Sequence, residues 1–183
     1  SSAGVFLFLM FARLWGRRHT STATNIEETA YMSVETRPRY AAEDLRSFTA
    51  KTFEAYGVPA ADAALGAEVL IDADLAGIES HGIAHLQWHP GYVPGLKNGR
   101  INPKPDLKVL RDSPVAATWD SDGGLGVVVG RRAMDACIEK AETSGIGMIT
   151  VTNGRHFGAA GHYARIAADR DLVGMAMCNV LPI

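Results

Sequence analysis

The chain has 183 residues, 47% of them hydrophobic and 21% charged, with a formal net charge of −2. That is the composition of an ordinary globular protein, and the length suits one full domain or one domain with part of another. The 18 lysines and arginines are scattered apart from the pairs Arg17-Arg18 and Arg131-Arg132, which argues against a polyanion-binding surface and against nucleic acid as a partner. Two cysteines, Cys137 and Cys178, are too few and too far apart for a disulfide framework or a zinc site. Both sit in apolar stretches, so two reduced, buried thiols in a cytoplasmic protein are expected.

The first segment, residues 3–15, reads AGVFLFLMFARLW and is followed by Gly16-Arg17-Arg18-His19. It falls short of the roughly 20 residues needed to span a bilayer. Its positive charge follows the apolar run, whereas a signal peptide carries it before. Its Arg, Ser and Thr content, with no acid before Glu27, also fits an organellar transit peptide. The simplest reading is a non-native or disordered extension over 1–31, with the functional start at Met32. No membrane association is expected.

Between 41 and 56, Leu45, Phe48, Thr52, Phe53 and Tyr56 fall on one helical face, and Gly57 provides a stop. Pro59 and Asp62 open a second helix to about Ala76, with a core stripe of Leu65, Val69, Leu70 and Ala73. A short Gly-Val-Pro link makes the two a helical hairpin. Residues 83–96 have helical character, but Pro90 and Pro94 each remove a backbone donor, so a break near His89 is expected. Past the linker 102–105 the texture changes. Strands are predicted over 107–110 and 115–119, around the turn Arg111-Asp112-Ser113-Pro114. A helix from Val127 to Thr143, a strand over 146–152, a helix over 158–169 and a buried strand over 172–178 follow. The fold class is therefore α/β (α+β): a helical N-terminal domain over 32–105, then the first part of an α/β domain over 106–183. The apolar stretch 172–183, with nothing polar to cover it, reads as a truncated edge.

Two loops carry residues suited to chemistry. Gly77-Ile78-Glu79-Ser80-His81-Gly82 gathers a hydroxyl, an imidazole, a carboxylate and two glycines between helices. Histidine titrates near neutrality and is the usual general acid or base; a neighbouring Ser can donate to a substrate oxygen or fix the ring tautomer. The structural alternative is a helix cap at Ser80 with an exposed His81. Asn153-Gly154-Arg155-His156-Phe157-Gly158-Ala159-Ala160-Gly161 follows a strand and opens a helix, the position where α/β proteins hold ligands. Here His156 can act as acid or base, and Arg155 or the helix start can hold an anion; the alternative is a tight turn capped by Asn153. The Gly123-Gly124-Leu125-Gly126 run with Gly130 does not have the G-x-G-x-x-G spacing, so it serves a turn and a helix start rather than a Rossmann fingerprint. His85 and His89 are four apart but lack an intervening H-E-x-x-H pattern, and no metal site is expected.

Taken together, the segments Asp72-Ala73-Asp74-Leu75-Ala76-Gly77-Ile78-Glu79-Ser80-His81-Gly82-Ile83, Gly95-Leu96 to Asn102-Pro103, Gly145-Ile146-Gly147 and His156-Phe157-Gly158-Ala159-Ala160-Gly161 with Tyr163 resemble the malate/L-lactate dehydrogenase family of the non-Rossmann type. That family also includes ureidoglycolate and sulfolactate dehydrogenases and diketogulonate reductases. The resemblance runs from about Thr36 to the end of the chain, and family members are much longer. It implies a nicotinamide-binding domain on a mainly antiparallel sheet, NAD or NADP as cofactor, a small 2-hydroxy or 2-keto acid substrate, and a homodimer when full length. It places the acid/base groups at His81 and His156; of these His156 is the first choice, and His81 is the second acid/base or a donor that polarises the carbonyl, oriented by Ser80. It also implies cofactor contacts at Asn179 and Val180. Three departures stand out: His85 where many members have Arg, Gly154-Arg155 where a Ser is common, and Val180 in place of a frequent Ser. With Arg absent at 85, His85 joins the substrate-binding residues, and Arg155 or a residue outside this chain must meet the substrate carboxylate. A Ser80–His81 hydrolase is disfavoured because adjacent residues rarely face each other as nucleophile and base. A catalytically inert binding or interaction domain is the stronger rival.

Overall fold

The computed structural model describes residues 4–11, 39–87 and 90–179, the first of these by its backbone. Strand β1 spans Gly4–Phe11, and helices α1 (Ala42–Ala55) and α2 (Ala60–Leu75) form the expected hairpin. Short 3₁₀ turns over Glu79–His81 and Ile83–Leu86 follow, and then helix α3 (Tyr92–Lys97). The second half runs β2 (Lys108–Asp112), β3 (Ala116–Asp120), α4 (Gly126–Ser144), β4 (Gly147–Gly154), α5 (Ala160–Ala168) and β5 (Val173–Cys178). The interruption expected in 83–96 is there: a 3₁₀ turn ends at Leu86 and a new helix begins at Tyr92.

The five strands lie in the order β2-β3-β4-β1-β5. β3 and β4 are parallel, joined by the α4 crossover; every other neighbouring pair is antiparallel. Ile149 and Val151 of β4 are fully buried. Val173, Met175 and Met177 on the alternate positions of β5 are each about 40% exposed (39%, 41% and 40%), so one face of this strand is left open.

Three expectations are corrected. Residues 4–11, read as part of a disordered extension, form the strand that separates β4 from β5 and hydrogen-bonds to both. The apolar run rich in Phe and Leu suits a strand bonded on both sides, whereas its meaning was obscured by the polar stretch that follows; residues 12–31 lie outside the described residues. On α1 the buried positions are Thr49 and Phe53, while Phe48 is 59% exposed. The hairpin turns its close face toward Gly66 of α2, where a side chain would already meet the Phe53 ring at 3.0 Å. Cys137 is buried as expected but Cys178 is exposed, on the open strand β5.

The Gly-rich segment serves as a turn and a helix start. Gly123 has φ +70°, Asn102 donates its N–H to the Gly123 carbonyl, and α4 begins at Gly126. A Cβ on Gly126 would lie 2.1 Å from the Arg155 carbonyl oxygen and 2.3 Å from that of His156. The helix start and the 155–158 loop are thus packed backbone to backbone. Gly126→Ala is expected to destabilise the chain by about 1–3 kcal/mol, because rigid backbone cannot yield as a side chain would. Gly161→Ala, at a helical position with nothing within 4 Å, is expected to be neutral or stabilising by up to about 1 kcal/mol. Thermal unfolding of the two variants checks the contrast.

Candidate active site

The turn of the first histidine motif is set by the end of α2. Asp74 in its last turn accepts the Ile83 N–H at 2.8 Å. Gly82 packs onto the same carboxylate so closely that a Cβ would lie 1.8 Å from Oδ1. Burial lifts the Asp74 carboxyl above the ordinary carboxylate range; the Ile83 N–H opposes this and the charge of Glu79 adds to it. Gly77, with φ +74°, lets the chain leave the helix and enter the turn.

The second motif hangs from the end of β4. Asn153 takes φ +55° and donates its side-chain amide to Asp120 at 2.8 Å, tying the end of β4 to the end of β3. Gly158, with φ +75°, packs against Val69 and Val127. Phe157 and Tyr163 stack face to face at 5.2 Å, and the Tyr163 hydroxyl donates to the Phe157 carbonyl. The following helix α5 is fixed to α2 by Asp72, which pairs with His162 at 3.0 Å and Arg165 at 2.5 Å and reaches Arg46 of α1 at 3.5 Å.

These supports bring three imidazoles together. The ring centroids of His85 and His156 are 4.1 Å apart and nearly parallel at 16°; His81 lies 5.3 Å from His156 and 6.5 Å from His85. Ser80 Oγ is 2.9 Å from His81 Nδ1, so the expected Ser80–His81 pairing is present as geometry. The sequence reading missed Tyr92. Its buried ring packs edge-on to His85 at 5.3 Å and to His156 at 5.8 Å, and its hydroxyl is 2.8 Å from His156 Nδ1. The only sequence signal was an aromatic residue at the start of the helix after the Pro90 break. Asp74, within the motif stretch, was likewise given no part.

The other named residues lie elsewhere. The Arg155 guanidinium turns to backbone, donating to the carbonyls of Arg100 at 2.7 Å, Asn153 at 3.3 Å and Gly154 at 3.4 Å. Among the described residues, no arginine or lysine makes a ring or hydrogen-bond contact with His81 or His156. Asn179 is exposed immediately after β5, and Val180 lies outside the described residues. The clustering of Glu68, Asp72 and His162 belongs to the ion-pair network that docks α5, since Arg131 holds Glu68 at 2.7 Å and three cationic or imidazole partners hold Asp72.

Burial foremost, then the neighbouring His85 and His81, push the His156 imidazole down from its ordinary value to about 4. More than a third of His156 is open to solvent, but its Nδ1 side is closed by Tyr92. His85 is also lowered, by burial first and by His81, against a hydrogen bond that the ring donates to the Ser80 backbone carbonyl. His162 is lowered by burial against the pull of Asp72. All three are therefore neutral in the fold at pH values where the unfolded chain's histidines, near pKa 6.5, begin to take protons. Stability is full above that range and falls as the pH drops through it, a loss complete for His156 by about pH 4. Each such histidine adds a slope of up to about 1.4 kcal/mol per pH unit. Denaturant unfolding across pH 4 to 7, compared between the chain and His162→Gln, checks this: the variant's acid slope is expected to be shallower. Asp74→Ala is expected to cost about 1–3 kcal/mol by orphaning the Ile83 N–H and to displace the His81 and His85 resonances in NMR spectra.

Comparison with known proteins gives the family of the chain. Residues 40–183 match the model of the malate/L-lactate dehydrogenase family. The L-sulfolactate dehydrogenase of Methanocaldococcus jannaschii is 46% identical over 127 residues, covering 69% of this chain and 36% of that protein. Hydroxycarboxylate dehydrogenase B of Escherichia coli is 33% identical over 150 residues, covering 82% and 41%. Among solved structures, malate dehydrogenase from Pyrococcus horikoshii superposes with a TM-score of 0.71 at 40% identity, over 78% of this chain and 40% of that one. The chain thus spans about two fifths of the length of these relatives (36–41%). On the match of its family model and its fold, the chain belongs to the malate/L-lactate dehydrogenase family.

Proposed function

We propose that this chain supplies the acid/base part of an NAD- or NADP-dependent dehydrogenase that interconverts a small 2-hydroxy acid and its 2-keto acid. The observation that carries the reading is the convergence of His81, His85 and His156 with Tyr92 from two separate loops, in a chain whose relatives are named as malate, sulfolactate and hydroxycarboxylate dehydrogenases. Oxidation of a secondary alcohol removes a hydride and a proton, and the reverse returns both. A bound nicotinamide supplies or accepts the hydride. The chain's own residues must hold the substrate oxygen, exclude water and move the proton, and imidazoles suit that task near neutral pH. His81 and His156 form the acid/base pair, with Ser80 orienting His81. His85 lines the substrate side in place of an arginine.

The residues present fit the proton-handling end of a nicotinamide site: three clustered imidazoles, with His85 and His156 lowered in pKa by burial and by their neighbours and His156 open to solvent after β4. Asn179 and Val180 are the proposed cofactor contacts. The substrate carboxylate needs a cation, and Arg155 is already committed to three carbonyls, so the longer protein's remaining part is the proposed source. A homodimer in the cytoplasm is the proposed setting. The share of the relatives that this chain covers favours one second reading: on its own it is an inert binding or interaction unit derived from the family.

The test joins these residues to a C-terminal portion of the kind the relatives carry and follows nicotinamide absorbance with malate, lactate, sulfolactate and their keto acids. Turnover with at least one pair is expected, and His156→Ala and His81→Ala are each expected to lower kcat by about a hundredfold or more. No binding of NADH or NADPH would sink the dehydrogenase reading, and near-normal turnover of either variant would remove that histidine from the pair.

A further inference from the structure

The two acid/base candidates differ in what their Nδ1 atoms face. His81 Nδ1 faces Ser80 Oγ at 2.9 Å, and a hydroxyl either donates or accepts. His81 can therefore hold its proton on either nitrogen, or on both, without losing that hydrogen bond. His156 Nδ1 faces two groups. One is the Gly158 backbone N–H at 3.3 Å, which can only donate. The other is the Tyr92 hydroxyl at 2.8 Å. A proton on Nδ1 would set an N–H against the Gly158 N–H, so Nδ1 must accept, and the Tyr92 hydroxyl then donates as well. Tyr92 is 1% exposed, with Phe53 packed edge-on to it at 6.0 Å. Its hydroxyl is thus held in place, and burial raises its pKa far above the ordinary tyrosine range, which keeps it a donor.

We propose that Tyr92 is a positioning residue that, with the Gly158 N–H, locks His156 as the neutral Nε2–H tautomer, so that His156 serves as a fixed hydrogen-bond donor to the substrate oxygen while His81 exchanges the proton. This rests on the dehydrogenase reading and reverses the order of the two histidines within it. In the direction of ketone reduction, hydride adds to the carbonyl carbon, the C=O π pair moves to oxygen, and the oxygen takes a proton from the His81 imidazolium, leaving His81 neutral. His156 keeps its Nε2 proton throughout, stabilising the developing negative charge on oxygen. In the oxidation direction His81 takes the alcohol proton. The low pKa of His156 agrees with this division: a group that stays neutral far below neutral pH is a poor proton carrier and a dependable donor.

The test needs neither cofactor nor substrate, so its outcome is separable from the dehydrogenase reading. The chain is labelled with 15N-histidine, and long-range proton–nitrogen correlations are recorded across pH 5 to 8. His156 is expected to show one unprotonated Nδ1 and one protonated Nε2 throughout, whereas His81 is expected to show the averaged shifts of an exchanging ring. In Tyr92→Phe, which keeps the buried ring, His156 is expected to become a mixture of tautomers. A protonated Nδ1 on His156 in the unaltered chain would overturn the proposal, as would an unchanged His156 pattern in the variant. Should Tyr92→Phe fail to fold, 3-fluorotyrosine at position 92 keeps the hydroxyl and strengthens its donation. The His156 Nδ1 resonance is then expected to move toward the protonated value, and no movement would overturn the assignment. If the spectra behave as expected and the longer protein has no dehydrogenase activity, the functional reading alone fails. If that protein is active but His156 is Nδ1-protonated, this division of roles alone fails.

Discussion

The candidate site depends on the last turn of α2, where two carboxylates two residues apart do different jobs. Asp72 points to α1 and α5, gathering Arg46, His162 and Arg165. Asp74 points the other way along the chain, into the turn that it anchors through the Ile83 N–H. One helical turn therefore fixes both the helix that follows the His156 loop and the loop that carries His81 and His85. Hydrogen bonds to charged acceptors are the stronger kind, about 1.5–3 kcal/mol each. These are also partly buried, with Asp72 at 16% and His162 at 2% side-chain exposure, so solvent screens them less than surface pairs. A rigid seat matters because proton transfer and hydrogen bonding to a reacting oxygen tolerate little misplacement.

The site so built has an internal electrostatic logic. Three imidazoles with centroids 4.1 to 6.5 Å apart oppose one another's charging, so the cluster's titration belongs to the group rather than to any one ring. His85 is stacked on His156 and lowered in pKa by burial first, so the two rings together present a flat, neutral surface.

Much of the architecture could be read from residue patterns. The helix and strand periods placed α1, α2, α4, β3, β4 and β5 to within a few residues, because each has an apolar face or run bounded by Gly, Pro or Asp. Both histidine loops stood out through their glycines and polar clustering. What could not be read were contacts set by packing between distant segments: Tyr92 with His156, 64 residues on, and His85 with the same ring, 71 residues on. Nothing local marks such pairs, since their distance follows from how α2 sits against α4 and α5. Arg155 misled for a related reason. Its sequence neighbourhood resembles an anion site, but the open carbonyls of residues 100, 153 and 154 claim its donors first. Phe48 likewise fits the helical face of α1, but the approach of Gly66 to Phe53 rotates that face by one position.

Strand β1 has a bearing on how the chain reaches this fold. Its partners are 137 to 172 residues away along the sequence, from Met10 with Gly147 to Phe6 with Cys178, whereas the β3-α4-β4 unit and the α1–α2 hairpin close over short spans. Loop-closure entropy rises with separation, and non-local strand pairing is slow. Pairing of β1 with β4 and β5 is therefore the costliest closure in the sheet. Without β1 the facing edges of β4 and β5 would carry unpaired N–H and C=O groups beside exposed Val173, Met175 and Met177, the condition under which an extended segment from another molecule can take that slot.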